Sequence, residues 1–465
     1  MTRLAVIADI HYYSPRLGVS GRAYELRSGA DQKCLAESGA VFDEAARLLI
    51  GSDIEAVLVA GDLTNNGERF SHEEIYEKLR ALDEKKSVYP IVSTHDWCSD
   101  NNPRAYAGNQ VFKEIETLDR EELNRLYGGF GGARLISSFE VEGGLVSRCF
   151  QLNSGVRLLA VHDDCNGRDG KSGYDERHLL WAENEIKSAR AAGQDIIAMQ
   201  HHLLLYGINR LVNGSQAIAD NIEAANRLAD AGLRLVFTGH SHMHRITEHI
   251  SPAGNKITQV NVGALCGYPA PVVFAEIDEN EVRIKTQFLE GFTYKGRRYG
   301  AEFFKEHTLG ALHNILNAAD DRRELQARLD AQGIDIDVSA ALYPLMRAVI
   351  NGVRKMRAGT AGNIINFLSF GKGVERSVLK KIKDDSLIEI VSDIFLNVFD
   401  GSFTAKNQKP AAKRAAFEIA ALPERFAAAI HNEKLMKTAA QIKETAAELL
   451  YPSAPDNLNC VISLK

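Results

Sequence analysis

The sequence predicts an α/β fold, a sheet with helices on both faces, followed by a helical region. Three observations predict it. Through residues 1–300, short apolar runs of strand length alternate with helix-length stretches. Several of these runs end in a polar cluster, as buried strands do where they open on a crevice. From about residue 301 onward, apolar residues recur at three- and four-residue spacing instead.

Residues 4–8 form the first apolar run and 55–60 the second, which ends in Gly61-Asp62. Ser71 with Glu74 three residues on has the capping-box spacing and predicts a helix start. Residues 89–92, 156–161, 196–199 and 233–237 are further β-rich runs, with helices expected near 32–50, 176–192 and 217–231. The segments 139–153 and 258–289 read as β-rich. In the second region Leu387, Ile390, Val391, Ile394 and Val398 form a helical stripe, and Gly401 sits where a helix would stop. Similar stripes run through 337–356, 411–431 and 433–450. They predict a helical bundle in which these positions are core.

Composition sets the outer bounds. A chain of 465 residues has room for about three domains, or two large ones. Apolar residues make up 45% and charged residues 25%, which excludes wholesale disorder. Of 37 glycines 29 precede residue 301, as do 11 of 14 histidines, so a boundary falls near 294–300. This gives an α/β domain over 1–300 and a C-terminal helical domain over 301–465. The net charge is −6, divided as −8 on the first region and +2 on the second. That balance disfavours a nucleic-acid polymer as partner. No apolar run approaches the ~18 residues of a membrane span. The segment Met1–Val6 has no leader pattern, so if Met1 is the natural start the expected location is the cytoplasm, unless a leader has been trimmed. Six cysteines without a C-x-x-C pair support neither a disulfide scaffold nor a thiolate zinc site.

The chemistry gathers in five clusters, each just after an apolar run: Asp9-Ile10-His11, Gly61-Asp62, His95-Asp96, His201-His202 and Gly239-His240-Ser241-His242. Singly they are ordinary. Asp-x-His also suits a turn carboxylate with a capping histidine, and Gly-Asp is common turn chemistry. Together they are not ordinary, because the carboxyl ends of strands in such a sheet share one crevice. Carboxylate oxygens and imidazole nitrogens converging there suit Zn, Mn or Fe. Two such ions about 3.5–4 Å apart can stabilise both the attacking and the leaving oxygen of a phosphoryl displacement.

The ordered set D-x-H, G-D, H-D, H-H and G-H-x-H resembles the calcineurin-like metallophosphoesterase superfamily over residues 1 to about 290. The resemblance implies a four-layer α/β sandwich of two packed mixed β-sheets, and hydrolysis of phosphomonoesters or phosphodiesters. The opening D-I-H and the stretch G-D-L-T-N-N-G-E are similar to bacterial cyclic-nucleotide-type phosphodiesterases, some of which carry a C-terminal helical domain. Carried over by residue, the resemblance implies that Asp9, His11 and His242 bind a first divalent metal. Asp62 would bridge to a second metal, bound by His201 and His240. His95, steadied by Asp96, would donate a hydrogen bond or proton to the substrate. The implied nucleophile is a metal-bound hydroxide, available near neutral pH because the metal lowers the pKa of water towards 7.

Two positions depart from the pattern. The family motif G-N-H-D is here Ser93-Thr94-His95-Asp96, so Thr94 stands where an Asn amide oxygen would meet the second metal. A weakened second site, replacement by water or another side chain, and an altered residue all remain open. Asn65 stands where purple acid phosphatases place a tyrosine, which argues against a tyrosinate–iron(III) centre. Asn65 and Arg104 are candidate substrate-binding residues, although a plain turn explains Asn65 equally well and a solvated loop arginine is the commoner reading of Arg104. His162-Asp163-Asp164 ends another strand beside the same crevice. The expected activity is that of a binuclear phosphoesterase acting on a small phosphoester, with a phosphodiester favoured. The alternatives are a phosphomonoesterase or a metal-binding scaffold without turnover. The helical domain is expected to pack near the crevice, limiting substrate size or supporting a homo-oligomer.

Overall fold

The computed structural model describes residues 1–278, 280–331, 336–429, 433–452 and 456–465. Its strands are β1 (Thr2–Ile7), β2 (Ala56–Ala60), β3 (Ser87–Ile91), a small hairpin of β4 (Ala105–Ala107) and β5 (Gln110–Phe112), β6 (Leu135–Glu140), β7 (Val146–Asn153), β8 (Val156–Ala160), β9 (Asp195–Met199), β10 (Leu235–Thr238), β11 (Arg245–Ile250), β12 (Lys256–Asn261), β13 (Pro271–Asp278), β14 (Glu281–Phe288), a second hairpin of β15 (Gly291–Tyr294) and β16 (Arg297–Gly300), and β17 (Asn459–Ser463). One sheet runs in the order β17-β14-β13-β1-β2-β3 and the other β11-β12-β10-β9-β8-β7-β6. Both are mixed: β1, β2 and β3 are parallel neighbours, whereas β13 meets β1 antiparallel.

Alternation along β1 explains the layers. Leu4, Val6 and Ala8 face the second sheet and meet Ile197, Met199, Phe237 and Val260 in an inter-sheet core. Ala5 and Ile7 point the other way, against Phe42, Ala45 and Leu49 of the helix Ser38–Gly51 and Ile75 and Leu79 of the helix Arg69–Asp83. The outer face of the second sheet is covered in the same way by Glu176–Ala191 and Asn221–Ala231, through Leu179, Ile186, Ala225 and Leu228. Helix, sheet, sheet and helix give the four-layer sandwich that the resemblance implies. Burial on both faces is why β2 reads as the unbroken apolar run Ala56–Ala60.

The helical region holds the expected stripes with shifted ends, but not as core: Leu387, Ile390, Val391, Ile394 and Val398 are half-buried, and Leu345 and Val349 are exposed. Residues 337–356 contain the helix Tyr343–Lys355, and the stripe at 387–398 folds as Leu387–Leu396. The stripe at 411–431 is two helices, Pro410–Ala420 and Leu422–Ala429, because Pro423 lacks the N–H needed to continue one into the next. Its positions 430–431 lie outside the described residues.

Two sequence expectations are corrected. Ser71 does not cap a helix: the helix starts at Arg69, and Ser71 is buried within it. Tertiary bonds take the capping-box groups. Ser71 Oγ accepts the Ser14 N–H, and the Glu74 carboxylate accepts the Tyr12 and Ser14 hydroxyls, both at 2.8 Å. The region after 301 is not wholly helical either. Its end returns as β17, antiparallel to β14 with Ile462 opposite Val282, and buries Ile462 and Leu464 between the sheets. A five-residue edge strand with one apolar face carries too little pattern to stand out after 150 helical residues. Among the described residues no helix is long and apolar enough to cross a membrane.

The helical region seats on the sandwich through named bonds. His244 N–H donates to Phe399 O at 2.8 Å, and Ile246 N–H to Asn457 Oδ1 at 2.8 Å. The buried Arg245 donates to Asn397 O and Ser402 Oγ and faces Glu448 at 3.6 Å. On another edge His307 Nε2 meets Lys33 O at 3.1 Å, and Asn314 Nδ2 donates to Gly29 O at 3.0 Å.

Candidate metal centre

The loops at the strand ends are stitched to one another by their backbones. Asp9 N–H donates to Gly61 O at 3.2 Å, His11 N–H to Asp62 O at 3.0 Å, and Gly239 N–H to His201 O at 3.0 Å. His240 N–H donates to both Asp9 oxygens, at 3.1 and 3.0 Å. These crossings draw residues far apart in sequence into one crevice. Asp9, His11, Asp62, His240 and His242 all have left-handed backbones, with φ of 52°, 44°, 51°, 69° and 58°. Each costs on the order of 1 kcal/mol or more, and such strain concentrates at functional sites.

The side chains form three adjoining groups: Asp9, His11 and His242; His11, Asp62 and His95; and Asp62, His201 and His240. Asp62 Oδ2 lies 3.8 Å from His11 Nε2 and 3.2 Å from His201 Nε2, so one oxygen faces both ends of the cluster. Asp9 Oδ1 lies 3.7 Å from His11 Nε2 and 3.5 Å from His242 Nε2. The nitrogens His11 Nε2 and His242 Nε2 face each other at 2.9 Å.

This donor set fits two divalent cations. His201 Nδ1 donates to Ala60 O at 2.7 Å, which leaves the Nε2 lone pair turned to Asp62, and that buried Nε2 has no hydrogen-bond partner. Facing imidazole nitrogens beside two buried carboxylates repel unless a proton or a cation stands among them. Burial raises the cost of ionising Asp62, but His201 and then His95 outweigh it and hold Asp62 well below the usual carboxylate range. Burial also disfavours a charged His201, yet Asp62 holds that ring well above the usual histidine range. Burial pushes His11 and His240 well down, towards the neutral form that binds metal.

His95 stands at the same opening, its ring edge-on to His11 with centroids 4.8 Å apart. Its N–H donates to Asp62 Oδ1 at 3.2 Å, and its Nδ1 donates to the Asn65 carbonyl. The tautomer so fixed leaves Nε2 free towards the crevice. Burial pushes the ring down to about 4, against the pull of Asp62, so the unliganded ring is neutral at pH 7.

The expected partnership of His95 with Asp96 is corrected. The Asp96 carboxylate accepts the N–H groups of Leu63, Thr64 and Ser93, and the Thr64 hydroxyl. It therefore pins the 63–64 loop to the 93–96 loop, and the Asn65 carbonyl holds the His95 ring. Thr94 is half-buried beside them, and its carbonyl accepts the Ser99 N–H at 2.9 Å. Asn65 is 2% exposed with no partner for Oδ1. Arg104 is half-buried and reaches the Tyr106 phenol.

A neighbouring group, Asp163, Asp164 and His202, was visible only in part from sequence. His202 Nδ1 is 3.1 Å from Asp163 Oδ1, and its ring lies 4.3 Å from that of His240, centroid to centroid. Asp164 accepts from Ser93 Oγ at 2.7 Å and Trp97 Nε1 at 3.3 Å. These polar atoms already have partners, so the group buttresses His240 and offers no spare ligand to replace the family Asn. Sequence reasoning missed that Lys33 and Gln32 are buried; no local pattern marks a lysine that tertiary packing buries.

A model of the calcineurin-like phosphoesterase family matches residues 2–244, slightly more than half of the chain. No curated protein sequence matches it. Among solved structures, a dimetal phosphatase from Danio rerio is similar over 62% of this chain and 96% of that one, at 10% identity and a TM-score of 0.42. The NAD nucleotidase of Haemophilus influenzae is similar over 77% of this chain and 61% of its own length, at 12% identity and a TM-score of 0.32. A 5′-nucleotidase from Candida albicans is similar over 77% of this chain and 60% of its own, at 10% identity and a TM-score of 0.31. Similarity this remote carries no argument about activity.

Proposed function

This chain belongs to the calcineurin-like phosphoesterase family, and from that premise we infer that it hydrolyses small phosphoesters, phosphodiesters foremost, with two divalent ions of Mn, Fe or Zn. One observation carries the reading: Asp62 Oδ2 faces His11 Nε2 and His201 Nε2 from a single position, as a bridging carboxylate must. Asp9, His11 and His242 would hold one ion with Asp62, and His201 and His240 the other. The ions, when bound, lower the pKa of water and neutralise charge on the phosphoryl oxygens.

The remaining work falls to the chain itself. His95 binds a phosphoryl oxygen through Nε2, the nitrogen that Asn65 leaves free. Because burial keeps that ring neutral, it becomes a donor only when an anionic substrate arrives and favours its charged form. Asp96 fixes the two loops that position Asp62 and His95. The preference for a diester rests on the D-I-H and G-D-L-T-N-N-G-E stretches, which are similar to bacterial phosphodiesterases.

The test is turnover. Protein loaded with Mn²⁺ should cleave bis(p-nitrophenyl) phosphate faster than p-nitrophenyl phosphate. EDTA or Asp62→Ala should abolish both activities. A faster monoester reaction would make the protein a phosphomonoesterase. Inertness towards every phosphoester with several divalent metals would leave a metal-binding scaffold.

A further inference from the structure

In the helical region one hairpin turns an apolar tip to solvent. Its helices, Ala358–Leu368 and Arg376–Ile382, run antiparallel: a Cβ on Gly362 would fall 2.4 Å from Leu379 Cδ1, and one on Gly359 would fall 2.8 Å from the Lys383 carbonyl oxygen. Asn366 closes the turn between them. Its amide nitrogen donates to Val374 O at 2.8 Å, its Oδ1 accepts the Val374 N–H at 2.6 Å, and its carbonyl accepts the Gly371 N–H at 2.6 Å. From this closed turn Phe367, Leu368 and Phe370 stand clear of the surface, 82%, 69% and 94% exposed. Phe370 does so from a left-handed backbone, with φ of 53°, where a bulky side chain is an outlier. Packing within the chain requires none of these three side chains.

The tip is flanked by positive charge. Residues 357–383 carry six cationic side chains, Arg357, Lys372, Arg376, Lys380, Lys381 and Lys383, against the single acid Glu375, in a chain whose net charge is −6. All six are exposed. Glu375 is engaged by Arg414, and Lys383 faces Asp384 at 3.2 Å. Among the described residues Lys372, Arg376, Lys380 and Lys381 have no acidic oxygen within ion-pair distance. Lys372 lies two residues beyond Phe370, within the turn itself. Arg376, Lys380 and Lys381 share one face of their helix, opposite the face on which Val378, Leu379 and Ile382 are buried.

A protruding apolar tip beside unpaired cations is complementary to an anionic bilayer surface: headgroup phosphates receive the lysines and arginine, and the acyl boundary receives phenyl and leucyl side chains. Charge disfavours a second copy of the chain, because a two-fold contact through this tip would set the two cationic patches against each other. A single-stranded nucleic acid is held in a groove, whereas these side chains stand on a projecting turn. We propose that the hairpin docks the protein on an anionic lipid surface, with Phe367, Leu368 and Phe370 entering the acyl boundary and Lys372, Arg376, Lys380 and Lys381 lying among the headgroups. A helix of 11 residues is too short to span a bilayer, so the attachment is peripheral. The proposal does not rest on the phosphoester reading above.

The test sediments the full-length protein with vesicles of phosphatidylcholine, alone or mixed with phosphatidylglycerol, at low and high salt. The protein should bind the mixed vesicles about 10-fold or more tighter than the neutral ones, and high salt should weaken that binding. Phe370→Gly should weaken it by about 10-fold, the scale of one phenyl group kept out of the acyl boundary. Glycine suits the left-handed backbone, so the melting temperature of this variant should hold, which separates a docking role from a structural one. Lys380→Glu combined with Lys381→Glu should also weaken binding to the mixed vesicles and remove most of its salt dependence. Equal binding to both kinds of vesicle overturns the proposal, as does undiminished binding by both folded variants. Capture of a single-stranded RNA without capture of vesicles overturns it in favour of a nucleic-acid site. A dimer that forms without vesicle binding and is lost in Phe370→Gly overturns it in favour of a second copy.

Discussion

Gly239 makes room for the carboxylate of Asp9: a Cβ at residue 239 would fall 2.5 Å from Asp9 Oδ2. The same relation joins Gly61 to His201, where a Cβ would fall 2.4 Å from Nδ1, at a φ of 87° that favours glycine. The glycines of Gly-His-x-His and Gly-Asp thus place candidate ligands borne by other strands. Gly239→Ala should displace Asp9 and lower metal content below two per chain. Activity should fall by about 100-fold, the scale expected when a reacting group is misplaced by about 1 Å. Metal analysis by inductively coupled plasma and circular dichroism of the variant check this; full metal content at wild-type rate would refute it.

Stability should fall on mild acidification. Burial pushes His72 and His178 down to about 4, and His162 to about 3. Burial keeps these rings neutral, against the Asp96 and Val92 carbonyls, which face the rings of His72 and His162 and favour their charged forms; His178 Nε2 meets Ser147 Oγ. A histidine whose pKa is lower folded than unfolded takes its proton preferentially in the unfolded chain. Its contribution is complete above pH 6.5 and is lost as pH falls from 6.5 towards 4, and to about 3 for His162. Each ring should contribute a slope of roughly 1 kcal/mol per pH unit in that window. Urea midpoints of wild type and His178→Gln between pH 7.5 and 4 measure it, and the variant should show the shallower decline.

A fragment ending at residue 300 should not reproduce the native α/β unit. It lacks β17, so β14 becomes an open edge, and the inter-sheet core loses Ile462 and Leu464. It also strands the N–H groups of His244 and Ile246, whose acceptors are Phe399 O and Asn457 Oδ1. The fragment should aggregate or melt well below the full chain. A soluble fragment with unchanged melting temperature and unchanged rates on every substrate would contradict this coupling.

Legibility in the sequence follows from what sets each feature. The strands that carry Asp9, Asp62, His201 and His240 are buried on both faces, so they appear as apolar runs whose ends are plain to see. The ligand types were readable because carboxylates and paired histidines after such runs are rare for packing reasons alone. Features set by distant partners were not readable. Ser71 and Glu74 match a helix cap, but Tyr12 and Ser14 claim them. Asp96 follows His95 in sequence, yet the backbones of Leu63 and Thr64 claim its carboxylate. Lys33 resembles any surface lysine until the 264–267 turn and the helix Glu302–Asn317 close over it.

Thr94 should leave the two metal sites unequal. In the proposed arrangement Asp9, His11 and His242 with Asp62 would hold the first ion, and Asp62, His201 and His240 the second, with a threonine where the resemblance implies an Asn. A hydroxyl on a shorter, β-branched side chain is the poorer ligand, and the nearby carboxylates do not replace it. Asp164 is held by Ser93 and Trp97, and Asp163 by His202. Loss of one neutral oxygen ligand should weaken the second ion by about 10- to 100-fold, the range seen when supporting interactions of a metal site are removed. On dialysis the second ion should therefore leave first, and activity should climb steeply as Mn²⁺ is restored. Thr94→Asn should tighten that site and raise the rate at low metal, without changing the affinity of the first. Metal titrations of both proteins, followed by turnover and by inductively coupled plasma analysis, measure each step. Two ions retained per wild-type chain after exhaustive dialysis, with no change in affinity or rate for Thr94→Asn, would show that the threonine costs the second site nothing.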